Sequence, residues 1–313
     1  AEMQHQIRYI PKWYYYYAGL ADKIEGVVHP CDKPALSYSR PEPLGVCVAI
    51  VPWNAPLLLL SLKAAPALAA GNTLVLKPAE HTSATALKLM ELVEAAGFPP
   101  GVVNVVTGFG KEVGEPLVSH TLTRHVGFTG STATGAHLYS LAAKDVKRVS
   151  LELGGKSPNI VFDDADLDNA VRGVVGGIFG ATGQTCIAGS RLLVQRRIHD
   201  EFVEKLAAFT KTARVGDPRD VRTQVGPIAN KMQFEKVLGY VDIARQDGAE
   251  LLLGGKRPDG DECARGFFVE PTIFTGVNNE MRIAREEVFG PILSTLIFDD
   301  ADLDIAVETA LAA

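Results

Sequence analysis

The sequence has little of what would mark a disulfide scaffold, a metalloprotein or a nucleic-acid binder. Its four cysteines, Cys31, Cys47, Cys186 and Cys263, show no C-x-x-C and no pairing rhythm. In a chain this long they are expected as reduced thiols in a cytosol-like, cytoplasmic compartment. The seven histidines lack H-E-x-x-H and Cys/His ligand spacing, so no metal site is expected. Lysine and arginine form no runs, and the net charge of −6 offers no attraction to nucleic acid or an anionic membrane. Residues 1–11 carry no apolar core of a secretory signal. Two long uncharged stretches, 43–62 and 173–190, are interrupted by Pro52 and Pro56 and by glycines with Gln184. They are expected as buried backbone near a site, not as bilayer spans.

What is present is a soluble-protein composition, 47% hydrophobic and 22% charged over 313 residues, enough for two ordinary domains. Short β-rich runs at 45–50, 73–76, 102–106, 125–128 and 148–151 alternate with helical patterns at 57–70, 82–96, 111–117 and 132–143. Such alternation predicts an α/β fold, a doubly wound parallel sheet covered by helices on both faces. Ligands of such sheets bind at the carboxyl ends of the strands. A second α/β unit is expected from residue 155 onward, with strands at 160–162, 191–195 and 292–298 and helices at 167–175, 200–212 and 231–247. The Pro-bearing stretch 23–43 reads as an excursion from the first core, and 254–266 as a surface turn.

The phrase Phe-Asp-Asp-Ala-Asp-Leu-Asp occurs at Phe162 and again at Phe298. Asp164-x-Asp166-x-Asp168 imitates the start of a calcium loop, but Asn169 and Val175 stand where a glycine and a carboxylate are required. Both copies are expected to end a strand and cap a helix.

Several motifs carry chemistry. Gly108-Phe-Gly110-Lys-Glu-Val-Gly114 imitates a dinucleotide fingerprint with its last glycine one residue late. Gly154-Gly155-Lys156-Ser157 imitates the end of a P-loop, with Ser150 at the position of the first glycine. Gly130-Ser-Thr-Ala-Thr-Gly135 opens a helix after a strand, where backbone N–H groups face a pyrophosphate or simply make a tight turn. Asn54, in Pro52-Trp53-Asn54, can donate its side-chain amide to an oxyanion or serve only as a turn residue. Glu152, held between leucines, is either a general base with a raised pKa or a strand-end salt-bridge partner. Gly183-Gln184-Thr185-Cys186 places a thiol in a small-residue loop, where a thiolate is a strong nucleophile. Alone, each cysteine is more often a small buried hydrophobe.

Taken in order, Pro52-Trp53-Asn54, Lys77-Pro78-Ala79-Glu80, Phe128-Thr129-Gly130-Ser131, Glu152–Asn159, Gly183-Gln184-Thr185-Cys186 and Glu286-Glu287-Val288-Phe289-Gly290-Pro291 resemble the aldehyde dehydrogenase superfamily of the NAD(P)-dependent, non-acylating type. The resemblance spans nearly the whole chain and does not single out one member. It implies a Rossmann-type NAD-binding domain over 1–154, with 23–43 as an oligomerisation segment. A C-terminally incomplete catalytic domain is implied over 155–313, with N- and C-terminal parts of the family fold lying outside these residues.

The resemblance further implies that Cys186 attacks the aldehyde and that Asn54 stabilises the resulting oxyanion. Glu152 would then activate water to hydrolyse the thioester. Lys77 and Glu80 match adenosine-ribose positions, Gly130 and Ser131 the pyrophosphate turn, and Glu287 and Phe289 the nicotinamide end; Pro52 and Trp53 join this cofactor set. A carboxylate at Glu80 would repel a 2′-phosphate, so NAD is expected over NADP. Ala55, Leu59, Thr185 and Ile187 match substrate-pocket positions, and the small Ala55 leaves room for a bulky or aromatic aldehyde. The partners implied are a small aldehyde and further copies of the chain, as a dimer or tetramer; the aromatic run Trp13–Tyr17 reads as helix core or subunit contact. Two competing readings are a cofactor-independent thiol esterase or acyltransferase and an inactive structural homologue. The pairs Lys77-x-x-Glu80 and Glu287-x-Phe289 weigh against the first, and intact Cys186, Glu152 and Asn54 against the second. Glu152 likewise weighs against a CoA-acylating relative.

Overall fold

The computed structural model describes residues 2–299. The chain divides into two compact units that meet in sequence at Leu153 and Gly154. Among the described residues, no helix is long and apolar enough to cross a membrane.

The first unit opens with helix α1 (Glu2–Ala18) and a hairpin of β1 (Val27–His29) and β2 (Ser37–Ser39), paired antiparallel with Val27 opposite Ser39. The hairpin presents Val27, Val28 and Tyr38 to solvent. Next come β3 (Val46–Ile50), α2 (Pro56–Ala69), β4 (Thr73–Lys77), α3 (Ser83–Ala95), β5 (Val103–Val105), α4 (Glu115–Ser119), β6 (Thr123–Thr129), α5 (Thr132–Ala143) and β7 (Arg148–Glu152). The five later strands form one parallel sheet in the order β5-β4-β3-β6-β7. This is the doubly wound arrangement that the alternation predicts, with its topological switch between β3 and β6.

The near-continuous apolar run of β3 is what a strand covered on both faces requires. Cys47 and Ala49 pack with Leu74, Leu76 and the helix residues Leu60, Ala64 and Ala86. Val48 and Ile50 pack oppositely, with Val126, Phe128, Leu138 and Ala142. α2 starts with Pro56 in its first turn, where the missing N–H costs nothing. The helix expected over 111–117 is present, opening as a π-helical turn, Gly110–Gly114, and running on into α4. Gly114 and Glu115 both hold right-handed helical angles, so the two pieces join without a break, and Pro116 sits in the first turn of α4.

The second unit contains β8 (Pro158–Val161), α6 (Leu167–Phe179), β9 (Arg191–Gln195), α7 (His199–Thr210), α8 (Lys231–Gln246), β10 (Glu250–Leu253), β11 (Thr272–Thr275) and β12 (Ile292–Phe298). Its sheet runs β10-β11-β12-β9-β8, parallel except for β10 against β11. β8 begins at Pro158, two residues before the expected 160, because an edge position spares proline a ladder donor. β10 and β11 went unforeseen in the sequence. Each has only four residues, and their pairing forms across the loop that separates them. The first acidic repeat caps α6, with Asp166 Oδ1 accepting from Asn169 N at 3.0 Å. The second begins with Phe298 at the end of β12, and the helix expected after it falls outside the described residues.

Candidate active site

In the first unit the expected cofactor and oxyanion residues gather along the carboxyl edge of the parallel sheet. Pro52, Trp53 and Asn54 follow β3, and Val51 N still donates to Lys77 O at 3.1 Å. Lys77 ends β4 and is 3% exposed. Its Nζ donates to Pro78 O at 3.1 Å and lies 3.9 Å from the Glu80 carboxylate. Burial pulls the Lys77 pKa below the usual lysine range, and Glu80 opposes that shift. Gly130 and Ser131 follow β6, on the other side of the switch point.

Ser131 caps α5, its Oγ accepting from Thr134 N at 3.3 Å, and residues 131–134 are exposed. This leaves an open helix N-terminus suited to an anion. Gly130 N donates to Glu152 O at 3.0 Å, and a Cβ on Gly130 would lie 2.5 Å from the tip of the buried Phe128 ring. Backbone therefore stands where any side chain would push the turn outward.

Glu152 ends β7, and its placement corrects one expectation. Strand alternation turns Leu151 and Leu153 toward the core while Glu152 is exposed, so the carboxylate is not sequestered between the leucines. A neighbour absent from the sequence reasoning is Lys63 of α2. Burial depresses its pKa, and Glu152 opposes the shift. Lys63 crosses the sheet over Gly127, whose absent Cβ would come 3.3 Å from Lys63 Cδ. On the same strands His125 Nε2 lies 3.0 Å from Ser150 Oγ. Burial lowers the His125 pKa, reinforced by Lys63 and Arg148. Ala55 is buried, whereas Leu59 packs half-buried on the core beneath β3 and β4.

The second unit holds Cys186. The chain leaves α6 through three left-handed residues, Ala181 (φ 48°), Thr182 (φ 59°) and Gly183 (φ 69°). Such angles cost non-glycine residues about 1–3 kcal/mol each and persist only where surroundings hold them. Here Thr182 Oγ1 donates to Gly226 O at 3.2 Å, and Gln184 Oε1 accepts from Ala229 N at 2.9 Å. Cys186 then sits half-buried in a turn closed by Ala188 N donating to Thr185 O at 3.1 Å. Thr185 is half-buried and Ile187 is 81% exposed. Behind the turn, Asn159 Nδ2 donates to Gly189 O at 2.9 Å.

Gly155 connects this loop to Glu287. Its N–H donates to Glu287 Oε1 at 3.3 Å, and a Cβ on it would lie 3.2 Å from Cys186 O. The segment 286–290 is held by α8, which the sequence reasoning did not use. Gln233 Nε2 donates to Val288 O and Phe289 O, both at 2.9 Å, and Lys236 Nζ donates to Glu287 O at 2.8 Å. Tyr240 OH donates to Glu286 Oε2 at 2.6 Å, and Arg282 also binds that carboxylate. The spacing of Gln233, Lys236 and Tyr240 on one helix stripe was the available signal. Lys156 is buried, and its Nζ finds no hydrogen-bond partner among the described residues.

The first unit is thus a parallel sheet with an open helix N-terminus at its switch point, and the second carries a thiol on a strained loop near the Gly155–Glu287 contact. Residues 1–311 match the family model for the aldehyde dehydrogenase family, and the chain belongs to that family. A hydroxyisobutyraldehyde dehydrogenase of Mycolicibacterium austroafricanum is 48% identical over 96% of this chain and 60% of its own length. The human mitochondrial aldehyde dehydrogenase is 49% identical over 90% of this chain and 54% of its own. The structure of a Staphylococcus aureus betaine aldehyde dehydrogenase in complex with NAD+ superposes with a TM-score of 0.95 at 42% identity, covering 98% of this chain and 61% of that one. The chain thus spans about three fifths of the length of such relatives.

Proposed function

We propose that the protein carrying this chain oxidises an aldehyde to a carboxylic acid with NAD, using Cys186 as nucleophile. The observation that carries the reading is the seating of Cys186 on a strained, glycine-backed turn next to the Gly155–Glu287 contact, within a chain of this family.

The residues present fit a dinucleotide. Gly130 leaves no side chain between the sheet edge and the exposed start of α5, and Ser131 has already capped that helix without closing it. Backbone N–H groups of α5 would take the pyrophosphate. Lys77 and Glu80 would hold the adenosine ribose, with Pro52 and Trp53 beside them, and Glu287 and Phe289 would hold the nicotinamide end. When bound, NAD accepts the hydride.

On the protein side, the Cys186 thiolate adds to the aldehyde carbon, moving the carbonyl electron pair onto oxygen. The Asn54 amide and the Cys186 backbone N–H donate to that oxyanion. Collapse of the alkoxide expels the hydride and leaves a thioester on Cys186. Glu152 then takes a proton from water, hydroxide adds to the thioester, and Cys186 departs as thiolate. An exposed Glu152 suits this role, because water reaches it directly.

Ala55, Leu59, Thr185 and Ile187 are assigned to the substrate pocket, where the small Ala55 favours a bulky or aromatic aldehyde. The exposed hairpin β1–β2 is assigned to pairing between copies in a dimer or tetramer. Four free cysteines fit a reducing compartment, and the cytoplasm is the proposed location.

The test is a panel of aldehydes with NAD and the full-length protein, read as NADH absorbance, alongside Cys186→Ser. Aldehyde-dependent NADH formation that disappears in the variant is the expected result. Unchanged turnover in the variant would refute the mechanism.

A further inference from the structure

We propose that Gln233 is a positioning residue that sets the conformation of Phe289 and thereby where the nicotinamide end of the cofactor rests. The proposal deepens the reading above and rests on its assignment of Phe289.

Phe289 has φ 60°, a left-handed conformation that a bulky side chain adopts only under constraint. The constraint comes from α8. The carbonyls of Glu287, Val288 and Phe289 are consecutive, and each accepts from a side chain of that one helix, Lys236 for the first and Gln233 for the other two. Two successive carbonyls turn toward a single nitrogen only when the chain bends between them, and the left-handed Phe289 makes that bend. Gln233 is itself fixed: it is 9% exposed, and its backbone N donates to the cap residue Asn230 at 2.9 Å. One turn further, Val237 packs against Gly290 so closely that a Cβ there would overlap it.

The segment is thus pinned from behind. Val288 is buried in the core of the unit, while Glu287 and Phe289 on either side of it are half-exposed. A primary amide suits the task because one uncharged nitrogen supplies two N–H donors. A carboxylate of the same shape would set oxygen against oxygen.

The experiment uses the full-length enzyme with Gln233→Met, which keeps the length and removes the donors, and Phe289→Ala. Hydrogen exchange of residues 286–291 without cofactor is read first. Loss of two buried hydrogen bonds should speed exchange there by roughly tenfold or more, with β12 unaffected. NAD affinity by calorimetry should weaken roughly tenfold. The primary deuterium isotope effect on kcat with a deuterated aldehyde should rise, a change that a merely smaller folded fraction would not produce. Wild-type exchange in Gln233→Met overturns the proposal, as does faster exchange with unchanged affinity and isotope effect. If Phe289→Ala moves neither affinity nor isotope effect, the assignment of Phe289 falls and the proposal with it. If Phe289→Ala moves both and Gln233→Met moves neither, only the proposal falls. Gln233→Asn, with the amide on a shorter arm, is the milder variant and carries the same expected directions should Gln233→Met not fold.

Discussion

Gly183 lies backbone to backbone against Gly290: a Cβ on Gly183 would overlap the Gly290 carbonyl oxygen and come 2.9 Å from Pro291 N. The loop that carries Cys186 and the segment that carries Glu287 and Phe289 therefore share one contact surface with no room for a methyl group. Gly183 also has φ 69°, so an L side chain is disfavoured there twice over.

Gly183→Ala should accordingly destabilise the protein by about 2–4 kcal/mol, since strain and overlap add. It should also cut turnover more than Gly173→Ala. Gly173 lies in the exposed face of α6 with nothing within 4 Å of a Cβ, and alanine there should stabilise by about 0.5–1 kcal/mol. Thermal unfolding of both variants checks the contrast; equal effects would mean the Gly183–Gly290 contact is not tight.

Lys156 makes stability depend on pH. Burial, reinforced by Arg191 and opposed by Glu287, pulls its pKa down to about 7 from the ordinary lysine value of 10.5. Between those two values the unfolded chain holds a proton that the folded protein lacks, so folding stability from this group rises with pH across that window. Below about 7 both states are charged, and the penalty is at its full, constant size. Lys156→Met removes it, and should be more stable than wild type by about 1–3 kcal/mol at pH 6.5, with the advantage shrinking toward pH 10. Melting temperatures of both proteins at the two pH values decide the matter. A constant difference would rule out the buried amine as the cause.

Tyr240 and Glu286 should be energetically coupled. The phenol donates to the carboxylate at 2.6 Å, and burial followed by this bond pushes the Tyr240 pKa up to about 12. A double-mutant cycle of Tyr240→Phe and Glu286→Gln should give a coupling of about 1 kcal/mol in unfolding free energy. Additive single effects would show that Arg282 alone holds Glu286.

Glu80 sets the cofactor prediction. It lies 3.9 Å from the buried Lys77 amine at the end of β4, and on the proposed assignment of both residues to the adenosine ribose a 2′-phosphate would face its carboxylate. The full-length protein should show a higher kcat/KM with NAD than with NADP, and Glu80→Gln should narrow the ratio by about tenfold, or ~1.4 kcal/mol. A wild-type preference for NADP would remove the argument.

Much of the fold is legible in local sequence. Arg191–Gln195, Ile292–Phe298 and Thr132–Ala143 follow from apolar runs or a helical pattern at their own positions. The short β10 and β11 do not, because four residues carry too little periodicity to declare a strand before a partner is known. The residue types of the site are equally local. Cys186, Asn54, Glu152 and the glycine turns stand out by their ordered motifs.

By itself, then, the sequence determined the alternating architecture, the family and the chemical groups on offer. Tertiary structure alone decided that Glu152 is exposed, that Lys63 lies over Gly127 beside it, and that α8 holds the carbonyls of Glu287, Val288 and Phe289. The reason is range. Gln233 and Val288 stand 55 positions apart, and a donor buried on a helix acquires its acceptor only when the topology brings a distant segment against it.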